Sequence, residues 1–126
     1  MKSKLLPVLG LFAVLSMAVP STFAHHSGSL YDRDHPITIT GTVTDFQFFN
    51  PHVHIVFDVK DDKGVVTSWT AEAGPPRGMF KQGWTRDAVK AGDTVTITGF
   101  PYKDGKKIMD ILKVEGPGKL VLQYGR

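Results

Sequence analysis

Two histidines at strand spacing are the first residues of this chain whose type and pattern could carry chemistry. His52 and His54 lie two positions apart, and because side chains alternate along a strand, both imidazoles are expected on one face. Imidazoles at this spacing can chelate one copper or zinc ion. Two ligands do not complete a metal site. Solvated histidines, or a hydrogen bond from His52 to the adjoining Asn50-Pro51 corner, are therefore the alternatives.

Residues 1–24 have the pattern of a cleaved signal peptide. Lys2 and Lys4 form a positive start, the apolar run over residues 5–19 is short for a membrane span, and small residues precede a cleavage site after Ala24. The sequence therefore predicts export, with no membrane insertion after cleavage. An uncleaved anchor is the alternative interpretation.

Cleavage after Ala24 would make His25 the first residue of the mature chain, followed by His26. An N-terminal histidine offers its α-amine and its Nδ1 to one metal ion, and the imidazole of His52 would complete a T-shaped copper brace. Nitrogen ligands suit Cu(II), so a copper ion is the cofactor these residues would hold, with His54 as an optional ligand. The alternative is that cleavage simply leaves the two terminal histidines exposed.

The densest aromatic cluster of the chain lies beside the same corner. Neighbouring side chains of a strand point to opposite faces, so Phe48 and Phe49 cannot both face inward. A metal-free surface for a protein or a glycan, formed by Phe48, Phe49, Asn50 and Trp84, is therefore the second functional hypothesis. The alternative is that the corner after Phe49 buries this side chain under the predicted helix, which would remove that surface.

Composition narrows the possible functions. The chain contains no cysteine, which excludes thiolate metal sites, iron–sulfur clusters and thiol catalysis. Without the predicted signal peptide, 13 basic residues are balanced by 12 acidic ones, and no cluster of Lys and Arg indicates nucleic-acid binding. No Ser-His-Asp order and no phosphate-binding loop is present, so the protein is not expected to be an enzyme.

Short strands must position these residues. Residues 37–44 alternate apolar and polar side chains, and the apolar phase then shifts by one residue, which predicts a long, bent first strand with a bulge. Gly41 is expected to permit the bend. The alternation continues over residues 53–59 and 65–73, which are the second and third predicted strands.

The pattern changes after the third predicted strand. Residues 79–84 could form one helical turn, and residues 85–92 are predicted as a short helix with Thr85 as N-cap and Gly92 just past its end. Asp104-Gly105 predicts a hairpin turn. The strands predicted after the short helix are residues 94–99, 107–114 and 120–124.

Three strands, a short helix and a two-stranded hairpin form the element order of an OB-fold, a five-stranded, partly open Greek-key barrel. The sequence thus predicts an all-β fold with one short helix between strands three and four. Its predicted parts are a signal peptide (1–24), a flexible segment (25–36) and an OB-fold-like domain (37–126). A seven-stranded immunoglobulin-like sandwich would need more strands than the sequence offers.

Several short motifs occur in the order seen in one family of small exported proteobacterial proteins, the domain-of-unknown-function family numbered 6152, which the chain therefore resembles. The motifs are Ala24-His25-His26-Ser27, Gly41-Thr42-Val43, Asn50-Pro51-His52, Gly83-Trp84-Thr85-Arg86-Asp87 and Gly92-Asp93-Thr94-Val95. The resemblance implies a periplasmic, single-domain, OB-like protein with no established activity. The expected partner is an unknown periplasmic protein or small ligand.

The resemblance transfers to only a few positions of this chain, which are His25, His26, Asn50, Pro51, His52 and Trp84. Phe48-Phe49 and His54 depart from the residues usual in the family. His52 together with the terminal histidines is therefore a better metal-site hypothesis than the His52/His54 pair.

Overall fold

Six strands and one short helix follow one another between residues 30 and 124, the part of the chain that the computed structural model describes. The predicted signal peptide, His25 and His26 lie outside the described residues. The elements are β1 (Ile37–Gln47), β2 (His54–Lys60), β3 (Val66–Glu72), α1 (Pro76–Phe80), β4 (Thr94–Pro101), β5 (Ile108–Glu115) and β6 (Val121–Gln123).

The first five strands close into a barrel. The strand order is β3-β2-β1-β4-β5-β6 with antiparallel neighbours, and β3 additionally pairs with β5 in parallel, with Glu72 opposite Asp110. This order, with a helix between β3 and β4, is that of an OB-fold, so the predicted fold class is confirmed. β6 extends the sheet beyond β5 as a sixth strand.

β1 is shared by the two halves of the barrel. Its first half pairs with β4 and its second half with β2. The register with β2 shifts between Val43 and Asp45, which places a bulge at Thr44 and moves the inward phase from Val43 to Phe46 and Phe48. The phase shift predicted from the sequence is therefore this bulge.

Gly41 allows β1 to approach β2 closely. A Cβ atom at this position would lie 2.5 Å from the carbonyl oxygen of Asp58 and 2.7 Å from Cδ2 of Phe57. The Phe57 ring is fully buried in a close-packed core and the Asp58 carbonyl is backbone, so neither can move aside easily. The position consequently requires glycine.

The core fills the barrel with side chains from every barrel strand and from the connection between β3 and β4. That connection contributes Met79 and Trp84, both fully buried, and the Trp84 ring meets Phe46 edge-on with centroids 6.1 Å apart. Fully or nearly fully buried strand residues include Val43, Ile55, Phe57, Ala71, Val95, Ile97, Met109, Ile111 and Val114.

The helix between β3 and β4 begins earlier than predicted. A proline stands at the first position of α1, where its fixed φ suits a helix. Residues 85–92, the predicted helix, form turns instead. The Lys90 N–H donates to the Asp93 carboxylate, and the Gly92 N–H donates to the Val43 carbonyl at 2.8 Å. These bonds replace the helical pattern. No helix within residues 30–124 is long and apolar enough to cross a membrane.

The described part of the predicted flexible segment lies against the barrel. Residues 30–36 are joined to the end of β4 by backbone hydrogen bonds, and Tyr31 forms an isolated β-bridge with Tyr102. The Tyr31 side chain is buried, and its ring meets the Tyr102 ring edge-on with centroids 4.7 Å apart. Residues 30–32 are therefore held by pairing with residues some 70 positions away, and the flexibility of the segment 25–36 stays a prediction.

Replacing Gly41 by Ala should destabilise the fold by about 1–3 kcal/mol, because the added methyl group overlaps a backbone carbonyl within the β1–β2 pairing. Gly78→Ala is the matched control, since nothing lies within 4 Å of its Cβ position. Urea denaturation followed by tryptophan fluorescence measures both variants. Equal stability of the two variants would contradict the close approach.

Candidate functional site

Two carboxylates lie side by side where β3 and β5 pair in parallel. Glu72 and Asp110 are partners in that pairing. Neighbouring carboxylates repel each other unless cations lie close to them. Each has a nitrogen partner, the His52 imidazole for Glu72 and the Arg33 guanidinium for Asp110. The site thus consists of two adjacent carboxylate contacts on the closed barrel, one to an imidazole and one to a guanidinium.

Glu72 connects His52 to the N-terminal segment. One of its carboxylate oxygens pairs with Nδ1 of His52, and the other accepts a hydrogen bond of 2.8 Å from the Tyr31 hydroxyl. The His52 side chain remains 47% exposed. Since Nδ1 is engaged, Nε2 is the ring nitrogen left for a further ligand.

His54 lies next to the same carboxylate. It is the partner of Glu72 in the β2–β3 register, and directly opposed residues of an antiparallel pair share one face of the sheet. Val53, between the two histidines, is fully buried. His52 and His54 are therefore on the outer side of the barrel wall, next to Glu72.

These side chains do not by themselves form a metal centre. Within the described range, no three His, Asp or Glu side chains are grouped so that they could hold one metal ion. The other two predicted ligands, His25 and His26, precede that range. The four-histidine metal site stays a prediction.

Arg33 covers Asp110 and an aromatic ring. Its Nη2 donates to Oδ2 of Asp110 at 2.8 Å, and its Cζ lies 5.1 Å from the centre of the Phe100 ring. A guanidinium carries five N–H donors in a fixed plane. Pairing with one carboxylate oxygen therefore leaves Arg33 with donors for a ligand.

Two adjoining cavities open at this site and share Arg33, Gly74 and Asp110 as their common wall. The smaller, the histidine cavity, has a volume of about 160 Å³ and is lined in addition by Tyr31, His52, Glu72 and Ala73. The larger, the tyrosine cavity, has a volume of about 350 Å³ and is lined in addition by Phe100, Ile111, Leu112 and Tyr124. Together they form one groove.

Tyr124 stands over Gly74 in the tyrosine cavity. Its hydroxyl oxygen accepts a hydrogen bond of 3.0 Å from the Gly74 N–H. Burial raises the pKa of Tyr124, and the negative charge of Asp110 adds to this, against the opposing effect of the Gly74 hydrogen bond. The phenol therefore stays neutral and keeps a proton to donate.

The aromatic surface predicted from the sequence is only partly exposed. Trp84 and Phe48 are buried, and Phe48 packs edge-on against Phe80 with centroids 5.1 Å apart. Phe49 is 51% exposed, and Asn50 lies at the surface beside it. A contact surface can therefore use Phe49 and Asn50 but not Phe48 or Trp84. The bulge in β1 turns Phe48 inward, and Trp84 fills the core.

The sequence did not indicate most of the groove. Tyr31 and Arg33 belong to the segment predicted to be flexible, and Asp110 and Tyr124 belong to predicted strands in which their spacing is not distinctive. The one available signal was Glu72, the single carboxylate of the third strand. Its neighbours follow from barrel closure, which brings together residues far apart in the chain.

Removing the Tyr31 hydroxyl should reduce stability by about 1–2 kcal/mol at neutral pH, because an oxygen of Glu72 loses its donor. Burial, followed by the hydrogen bond to Glu72 and its negative charge, raises the pKa of Tyr31 far above its usual value of 10.0. A group whose folded-state pKa is raised contributes its full stability below the unfolded-state pKa and loses it as the pH rises further.

The stability difference between the wild type and Tyr31→Phe should therefore be constant up to about pH 10 and shrink above it. Urea denaturation at a series of alkaline pH values measures this difference. A difference that does not change up to about pH 11 would contradict the role of the Tyr31–Glu72 contact.

Comparison with known proteins gives one family and a set of distant structures. The crystal structure of the ZRD-deleted mutant of TiaS with agmatine has 19% sequence identity and a TM-score of 0.44, covering 75% of this chain and 24% of that chain. A complex of TiaS with a transfer RNA and ATP has 19% identity and a TM-score of 0.43, covering 68% and 18%. The small single-stranded DNA-binding protein from Streptomyces coelicolor has 17% identity and a TM-score of 0.43, covering 71% and 92%.

This chain thus spans about a quarter or less of the length of the two TiaS chains. No curated protein sequence matches it. The sequence pattern of a family of unknown function, DUF6152, matches residues 13–109, which is more than half of the chain. The chain therefore belongs to the family of unknown function DUF6152, the family that its motifs predicted.

Proposed function

We propose that this protein is an exported periplasmic module that binds one copper(II) ion through His25, His26 and His52, with His54 as an optional ligand. Its role would be to carry or sense copper and not to catalyse a reaction. The observation that supports this most is the contact chain from Tyr31 through Glu72 to His52.

The contact between Glu72 and His52 suits a histidine that binds a metal ion. Metal-binding histidines usually place their second ring nitrogen against a carboxylate, which fixes the tautomer and the ring orientation. Glu72 stands in this relation to Nδ1 of His52, and the imidazole is about half exposed. Nε2 would then be directed to a metal ion that arrives from solvent.

The hydrogen bond from Tyr31 to Glu72 brings the N-terminal segment close to His52. Tyr31 and His52 contact the same carboxylate, one oxygen each. His25 precedes Tyr31 by six residues, and six residues of extended chain span up to about 20 Å. A terminal histidine is therefore within reach of His52.

The combined donor set matches the chemistry of copper(II). If the chain is cleaved after Ala24, the α-amine and Nδ1 of His25 supply two nitrogens and Nε2 of His52 supplies a third. Nitrogen donors in a T-shaped arrangement suit Cu(II). His26 or His54 could complete the coordination. The proposal therefore requires a free terminus at His25.

The mature protein with a native N-terminus should bind one equivalent of Cu(II), and His52→Ala should weaken this binding at least about tenfold. Isothermal titration calorimetry measures the affinity, and EPR reports nitrogen ligands to the copper. His35→Ala is the matched control, because His35 is a well-exposed histidine of the N-terminal segment and contacts Asp32 instead of Glu72. Binding that is absent, or equal in the wild type and His52→Ala, would overturn the copper proposal.

A protein extended by one residue before His25 tests the brace separately. The extension removes the α-amine from the chelate and should shift the EPR spectrum and lower the affinity. Unchanged binding by the extended protein would exclude the amine as a ligand while leaving the imidazoles in place.

The alternative function is metal-free binding of a protein or glycan. It is favoured by the exposure of Phe49 and Phe80, which are 51% and 54% exposed; Phe49 follows the buried Phe48 in the chain and the Phe80 ring contacts it. Phe49→Ala should then weaken recovery of a periplasmic partner while the melting curve stays nearly the same. A large loss of stability would instead show that Phe49 supports the core.

A further inference from the structure

The tyrosine cavity has no part in the copper proposal, yet it has the features of a ligand site. Its volume of about 350 Å³ lies within the range of small-molecule pockets, roughly 300–1,000 Å³. The apolar residues Phe100, Ile111 and Leu112 contribute to its lining, and polar groups enter it from Arg33 and Tyr124. Such a combination of an apolar wall with a few placed polar groups is typical of binding pockets.

The hydrogen bonds already made define what a ligand must offer. The Tyr124 oxygen accepts from Gly74, so its own proton is available to a ligand acceptor. Arg33 has N–H donors beyond the one that meets Asp110. Asp110 uses Oδ2 in that bond, and Oδ1 can accept from a ligand donor. The ligand must therefore both accept and donate hydrogen bonds.

The charges of the groove decide between ligand classes. The Arg33 guanidinium and the Asp110 carboxylate in the tyrosine cavity are of opposite sign and 2.8 Å apart. An anionic ligand would be attracted by Arg33 but repelled by Asp110, and a cationic ligand the reverse, so the two charges largely offset each other for either ion. A neutral group meets neither repulsion. The raised pKa of Tyr124 keeps its phenol a donor.

We infer that the tyrosine cavity binds a small neutral carboxamide with a compact apolar group. The amide oxygen accepts from the Tyr124 hydroxyl and the Arg33 guanidinium, and the amide N–H₂ donates to Asp110. The apolar group lies against Phe100 and Leu112. This site is separate from the proposed copper ligands and does not depend on metal binding.

Three single-ring probes of similar size test the inference on the metal-free protein: benzamide, benzoate and benzylamine. Titration followed by ¹H–¹⁵N correlation NMR should show saturable shifts with benzamide at Gly74, Ile111 and Leu112, with a dissociation constant on the order of 1 mM, as for other ligands of this size. Benzoate and benzylamine should bind several-fold more weakly. Tyr124→Phe should lower benzamide affinity about three- to tenfold.

Charge-changing variants provide the decisive comparison. Arg33→Gln leaves Asp110 without its cation, so benzylamine should become the preferred probe. Asp110→Asn leaves Arg33 without its anion, so benzoate should become preferred. Arg77→Gln, at an exposed arginine of α1, is the matched control and should keep the wild-type order. The same NMR spectra show whether each variant is folded.

Two results would overturn the inference. One is the absence of saturable shifts around Gly74 and Ile111 with every probe, or shifts centred instead on Phe49. The other is an order of probe affinities that stays the same in Arg33→Gln and Asp110→Asn. Because the titrations use no metal, failure here leaves the copper proposal unaffected, and failure of copper binding leaves this inference standing.

Discussion

The parallel pairing of β3 with β5 is the constraint on which the site depends, because it closes the barrel and places Glu72 next to Asp110. Two adjacent carboxylates are stable only with positive or hydrogen-bonding partners. These partners come from the corner before β2 and from the segment before β1, so closure of the barrel and docking of residues 30–36 are parts of one arrangement. Because the Arg33–Asp110 ion pair and the His52–Glu72 contact are partly exposed, they add little stability. Their main effect is to hold an imidazole and a guanidinium at fixed positions.

The sequence predicts what local patterns determine. Alternation of apolar residues gives the strands, the phase shift near Thr44 gives the bulge, and the Asn-Pro corner joins β1 to β2. Prediction from the sequence fails where contacts between residues far apart in the chain determine the local structure. Residues 85–92 have helix-capping residues, but a hydrogen bond from Gly92 to Val43 holds them in turns. An aromatic residue such as Trp84 gives no local sign of whether it faces the core or a partner.

The candidate site likewise has one part that local sequence patterns predict and one part that they do not. His52 and His54 could be placed on one outer face from their spacing alone, because strand geometry is local. The groove beside them could not be predicted. It requires Arg33 and Asp110, 77 residues apart, to meet through a barrel closure that no short motif specifies.

The common wall of the two cavities has a thermodynamic consequence. Arg33 and Asp110 line both, so a ligand that moves the guanidinium in one cavity changes the electric field in the other. Coupling of this kind is reciprocal: if occupancy of the tyrosine cavity alters affinity at the histidine cavity by some factor, occupancy of the histidine cavity alters the first affinity by the same factor. The two compartments of the groove can therefore act as a pair of linked sites within one small barrel.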